Sequence, residues 1–297
     1  MRLSRGQSWA AGTALAVLFG FTLFQASWIA AKPIGKPKLI ADRGAEPVRD
    51  ASGCSSSANG GYMTVYAGPD VSALQLAAGL GGDAVRVKTE RVGNDVVVAR
   101  QFKSTCAADS NSARGSIGEA TAALTKPEIL WHPANAADAA SIIAALPAAA
   151  NNTPAVATNT PAPKSGEADR NIFMGDDATI AAVKKARPNS LAFSIGMARQ
   201  CQADYKLSGM IGSVPETCKN GVMLLAINEV GMTLWGWPNR FMARMEAANT
   251  RVIIAESINA GTITGLTKVE QYNDIANSFN GYIWIDNIAD LGPALKR

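Results

Sequence analysis

Histidine is nearly absent from this chain: His132 is the sole imidazole in 297 residues. Chemistry that needs two imidazoles, as paired acid and base or as metal ligands, is excluded at the outset. Charge is also sparse. Asp, Glu, Lys and Arg make up 18% of the residues, and 28 basic side chains face 24 acidic ones, a net of +4. The dense basic footprint of a nucleic-acid binder is missing, so no nucleic-acid partner is expected. The four cysteines are too few for a disulfide-dense scaffold, and no CxxC pair offers metal-ligand spacing. A Walker loop, a Ser-His-Asp series and a usable GxGxxG are likewise lacking. What is present is a 47% hydrophobic chain, globular in composition, sized for one large domain or two ordinary ones.

The first 31 residues set the expected compartment. No charged residue occurs between Arg5 and Lys32, and the apolar centre of this stretch is Ala10–Phe24. Residues 1–31 read as either a signal peptide or an uncleaved membrane anchor. As a helix, the stretch would place Trp9 and Trp28 roughly 28 Å apart, near the thickness of a bilayer core. Indoles at both interfaces suit an anchor, whereas the small residues of Ala26–Ala31 suit a cleavage region. Under either reading Arg2 and Arg5 stay in the cytoplasm. The body, residues 32–297, is then exported, periplasmic or anchored in the inner membrane facing the periplasm. Arg2 and Arg5 supply two of the four net charges, so the body is nearly neutral and implies no particular charged partner. Export suits disulfides. Pairing neighbours gives Cys54–Cys106 and Cys201–Cys218, with loops worth very roughly 4 and 3 kcal/mol by chain entropy; four cysteines allow three connectivities.

Strand-like and helix-like runs alternate along the body. Strands are expected at Lys38–Gly44, Asp83–Glu90, Val96–Arg100, Glu128–Trp131, Asn171–Met174, Ser190–Ile195, Gly221–Ile227, Arg251–Ala255 and Tyr282–Ile285. Helices are expected at Val71–Leu80, Ala136–Leu146, Ala178–Ala186 and Asn239–Ala248, the last with Pro238 in its first turn. The alternation indicates an α/β fold with a parallel sheet, in a body near the size of one (β/α)₈ barrel. Pro147–Asp169, rich in Ala, Pro, Asn and Thr, reads as a flexible surface insertion in a single domain; a linker between two domains is the alternative.

The run LIADRGAE resembles the first barrel strand of the glycerophosphodiester phosphodiesterase family, which reads His-Arg-Gly there. GGDAVRVKTERVGNDVVVARQF resembles the family's second strand and hairpin. CQADYKLSGMIGSVPETC, LWGWPNRFMARM and GYIWIDNI are similar to an exported bacterial branch. The resemblance spans about residues 37–297 apart from the insertion. It implies a TIM-type barrel of the phospholipase-C-like phosphodiesterase kind, irregular or incomplete here. It also implies lipid-related phosphoric diester hydrolysis with a divalent cation, Mg or Ca, held by carboxylates. In such a site two His do acid–base work and an Arg binds phosphate.

Carried over position by position, the resemblance finds most of that site replaced. The first family His falls on Asp42, followed by the retained Arg43 and Gly44. The Glu-Asn-Thr of the first helix falls on Gly68, Pro69 and Asp70. The metal-binding Glu and Asp of the second strand fall on Arg86 and Lys88, and the second His falls on Arg100. A third-strand carboxylate aligns weakly with Glu119. A divalent ion beside Arg86 and Lys88 faces repulsion instead of ligation, so no cofactor is expected. Asp42 beside Arg43 has little basicity. Arg43, Arg86, Lys88 and Arg100 converging at the barrel mouth would make a metal-free pocket for a phosphate-containing small molecule. The bland alternative is a solvated rim whose charges pair with Asp42, Glu90 or Glu119. His132, before Pro133, reads as structural or exposed, and Trp235 and Trp237 as a rigid corner or an aromatic wall.

The reading that follows is a glycerophosphodiester phosphodiesterase-like protein with a degraded site, non-catalytic or anion-binding, with membrane contact through its N-terminal segment. Two alternatives stay open. One is an active metal-dependent hydrolase with Glu119, Asp42 and Asp70 holding the metal; the other is a structural envelope protein.

Overall fold

The short apolar runs become strands because each offers two opposite rows of Val, Ile, Leu, Ala or aromatic side chains, and both rows find apolar neighbours. The structure, a computed structural model, describes residues 20, 25–42, 71–99, 115–146, 170–231, 234–259 and 261–296. In chain order the strands are β1 (Lys38–Ala41), β2 (Ala84–Val92), β3 (Asp95–Val98), β4 (Glu128–His132), β5 (Asn171–Met174), β6 (Ala192–Phe193), β7 (Val222–Ala226), β8 (Arg251–Ala255), β9 (Ser257–Asn259), β10 (Thr262–Thr264) and β11 (Tyr282–Ile285). The helices are α1 (Val71–Gly79), α2 (Ile117–Ala123), α3 (Ala136–Ala145), α4 (Asp177–Ala186), α5 (Ile195–Ser208), α6 (Asn239–Ala247) and α7 (Ile288–Lys296).

Eight strands run parallel in the order β6-β5-β4-β2-β1-β11-β8-β7. With helices between them they form a nearly closed, irregular (β/α)₈ barrel. The path ends at β6 and β7, and among the described residues no backbone ladder joins those two. The strand expected over 190–195 shortens to two residues because Ser194 leaves the sheet to cap α5, its Oγ accepting from the Met197 amide at 3.0 Å. β3 stays outside the barrel, folded antiparallel onto β2 with Val92 opposite Asp95. Gly93, at φ 62°, turns the chain between them.

Pleat parity sorts the core into two layers. Leu39, Val85, Val87, Ile129, Trp131, Met223 and Ile254 face outward against α1–α7. Ile40, Ala84, Leu130, Ile172, Leu224 and Trp284 face the barrel axis. α5, the longest of the described helices, did not stand out in the sequence. Its buried stripe is Ala198, Cys201, Gln202 and Tyr205, at helical spacing but with a polar member and two small ones. Cys201 and Cys218 are joined as expected, both fully buried. Cys54 and Cys106 lie outside the described residues, as does the stretch 147–169.

The end of the N-terminal stretch is fastened to the barrel. Residues Ser27–Ile29 form a short 3₁₀ turn. The Asn239 amide donates to Ser27 Oγ at 2.8 Å, and Gln25 Nε2 donates to the Gly209 carbonyl at 3.1 Å. Among the described residues no helix is long and apolar enough to cross a membrane.

Candidate anion site at the barrel mouth

The inward row of each strand changes character along the barrel axis. At the N-terminal end it is a polar floor. Glu128 Oε2 accepts from Arg251 Nη1 and from the Tyr282 hydroxyl, each at 2.7 Å, and Lys38 Nζ donates to the same hydroxyl at 3.3 Å. Burial, above the other influences, pushes the Tyr282 hydroxyl well above the usual phenol range. Above this floor lies the apolar inner layer. Beyond it, at the C-terminal ends where barrel sites form, the row turns polar again.

Parity places that polar row. Asp42 is two residues beyond Ile40, Arg86 and Lys88 are two and four beyond Ala84, and His132 is two beyond Leu130; Glu90 continues the β2 row. All therefore share the inner face. Lys88 and His132 stand opposite each other in the β2–β4 register. Asp42 is almost wholly buried, and its Oδ1 accepts from Trp284 Nε1 at 2.8 Å and pairs with Arg86 Nη1 at 3.0 Å. The Arg86 guanidinium also lies over the Trp284 ring, 5.7 Å from its centroid. Trp284 thus fixes both partners of the ion pair.

His132 is the part of this site that sequence reasoning missed. The strand read as Glu128–Trp131 runs one residue further, to His132. That extra step brings the imidazole into the inward row of the strand. Burial lowers its pKa from 6.5 to about 4, and the positive charges of Arg86 and Lys88 push the same way. The ring is neutral at neutral pH: a poor base and no acid, but able to donate one hydrogen bond. Its Nδ1 and the Arg86 Nε are buried without a hydrogen-bond partner among the described residues. Two nitrogens so placed, beside the Lys88 ammonium, form a set complementary to an anion.

The other expected residues fare differently. Arg43, Asp70 and Arg100 lie outside the described residues. Glu119 is not in a barrel strand: it opens α2, where its Oε2 accepts from the Ser116 amide at 2.7 Å and Ser116 Oγ at 3.0 Å in a capping box. Arg86 pairs with Asp42, as the solvated-rim alternative anticipated, yet this pair is buried at the axis. Trp237 packs on Phe241 and Phe279, with ring centroids 5.5 and 5.8 Å away. Trp235 Nε1 donates to the Lys206 carbonyl. These two indoles build a corner.

The described residues do not fit the divalent cation that the resemblance implies. The two second-strand positions carry cations, and the Asp42 oxygen is taken by Arg86 and Trp284. Among the described residues no three His, Cys, Asp or Glu side chains converge as a metal would require.

No family model matches the chain, and no curated protein matches it. Solved structures do. One is the glycerophosphoryl diester phosphodiesterase domain of an uncharacterised Mycobacterium tuberculosis protein, at 11% identity and TM-score 0.53, covering 88% of this chain and 99% of that one. Another is a glycerophosphodiester phosphodiesterase from Agrobacterium tumefaciens, at 10% identity and TM-score 0.49, with the same coverage. At such identity the likeness speaks for architecture, and it agrees with the strand order: the chain has the barrel fold of the glycerophosphodiester phosphodiesterases.

Proposed function

We propose that this is an exported, metal-independent barrel that binds a phosphate-bearing small molecule at its mouth and does not hydrolyse it. The observation that carries the reading is the convergence of Arg86, Lys88 and a neutral, inward His132 at the C-terminal end of the axis. Arg86 offers a fork held by Asp42 and Trp284. Lys88 offers a point charge, and His132 a hydrogen bond that adds no further positive charge. Glycerophosphodiester hydrolysis needs an acid and a base, and a ring with a pKa of about 4 is suited to neither role at neutral pH. The buried Cys201–Cys218 bridge supports an oxidising compartment.

As the sole histidine, His132 reports on this site by proton NMR of the full chain. Inorganic phosphate is expected to shift its Cε1 proton saturably and to raise its pKa, because a bound anion offsets Arg86 and Lys88. An unchanged titration curve at saturating phosphate would sink the anion reading. Chelator-sensitive release of glycerol phosphate from a glycerophosphodiester would sink the non-catalytic one.

A further inference from the structure

We infer that the N-terminal face of the barrel rests on a lipid bilayer, so that the mouth points away from the membrane. This builds on the reading of residues 1–31 as a membrane segment, here retained in the mature chain.

The first observation is the fastening of that segment. Gln25 donates to the Gly209 carbonyl, and Arg244 Nη1 donates to Gln25 Oε1 at 3.1 Å. Ser27 engages Asn239 through its hydroxyl and its carbonyl. Cleavage within Ala26–Ala31 would remove Gln25 and its bonds to the barrel. These residues are therefore part of the folded structure, not only of an export signal.

The second observation is what surrounds them. Leu207 is 79% exposed, Ile211 71% and Trp28 77%, with Ile29 and Met210 nearly half exposed. Single exposed apolar residues are ordinary. Here five fall in two short segments that Gln25 ties together, at the end of a stretch with no charge from Gly6 onward. Exposed cations close to these residues in the chain suit an anionic headgroup layer: Lys206 precedes Leu207, and Lys32 follows Ile29 by three positions. Asp204 is occupied by Gln200 and Thr217, and Glu216 pairs with Lys219. Exposed apolar side chains flanked in the chain by lysines, with an exposed indole among them, match the interfacial zone of a membrane.

Topology sets the orientation. α5 returns antiparallel to the strands, so Leu207–Ile211 lie at the face where β7 begins. The chain after Ile29 enters β1 at that same end. Asp42 and His132 stand at the opposite ends of β1 and β4, and Lys88 is the last residue of β2 to pair with β4. Binding and anchoring thus occupy opposite faces.

The full chain is reconstituted into vesicles of phosphatidylethanolamine and phosphatidylglycerol that carry acyl-chain nitroxides near the carbonyl. An environment-sensitive fluorophore is attached to Leu207→Cys or, as the control at the β2–β3 turn on the mouth side, to Val92→Cys. The expected result is flotation of both proteins, with severalfold quenching at 207 and none at 92. Flotation without quenching at 207, or with equal quenching at both positions, would overturn the resting face while leaving an anchor in place. Failure to float would overturn both. Intact mass of the protein purified from membranes should include residues 1–31; a mass lacking them would overturn retention.

Discussion

At the residue scale, His132 shows how one position changes meaning with one step of a strand. The sequence ends this strand at Trp131 and leaves His132, before Pro133, as a structural or exposed residue. Pairing with β2 carries the strand on to His132, opposite Lys88, and parity then turns the ring inward. Arg86 and Lys88 were legible because alternation in DAVRVKTE is unambiguous. The Asp42–Arg86–Trp284 contact was not, since Trp284 is far away in sequence and joins through the β1–β11 ladder. The buried imidazole also carries a pH signature. Its folded pKa, about 4, lies below the unfolded 6.5. Between those values the unfolded chain holds a proton that the folded chain does not, so stability falls as pH drops through this window. The loss is on the order of 3 kcal/mol. His132→Gln should flatten the dependence of the urea midpoint on pH between 6.5 and 4. A variant whose midpoint falls as steeply as the parent's would show that another group is responsible.

At the scale of elements, most strands could be read because apolar runs bounded by turns have few other uses. Asn171–Met174, Arg251–Ala255 and Tyr282–Ile285 coincide with β5, β8 and β11. α5 escaped because its buried stripe is small and partly polar, so periodicity is faint where packing is decisive. Its covalent tie to Cys218 compensates for that weak stripe. Replacing Cys201 and Cys218 together by Ala should destabilise the protein by about 3 kcal/mol if chain entropy in a 17-residue loop dominates. This is measurable as a lower chemical-denaturation midpoint under non-reducing conditions. An unchanged midpoint would assign the holding of α5 to its packing alone. Glu229, just beyond β7, adds a second tie. Burial opposes its ionisation, yet hydrogen bonds from Arg199 and the Ala226 amide hold its carboxyl down at about 2.

At the scale of the whole molecule, the α/β class and the parallel sheet followed from alternation, and the barrel from the family resemblance in a body of fitting length. Which strands meet did not follow, because β1 lies between β2 and β11 through contacts spanning nearly the whole chain. The polar floor of Lys38, Glu128, Arg251 and Tyr282 was equally hidden, its four members coming from four strands. It closes the end of the axis that hydrophobic side chains leave open. Glu128→Ala would strand Arg251 and the Tyr282 hydroxyl partly buried, and should cost roughly 1–3 kcal/mol. The phosphate response of His132 at the far end should be preserved. Loss of that response with a folded protein would mean that the two ends are coupled.

The seam between β6 and β7 gives the barrel two free margins, like a cask missing the bond between its first and last staves. α5 bridges that gap, running from the end of β6 to the approach to β7. Both ties of α5 reach across it: the disulfide to Cys218 and the Arg199–Glu229 pair. The hoop is thus made of side chains where a backbone ladder would otherwise serve. Unlike a ladder, it can be loosened chemically, by a reductant at one point and by acid at the other.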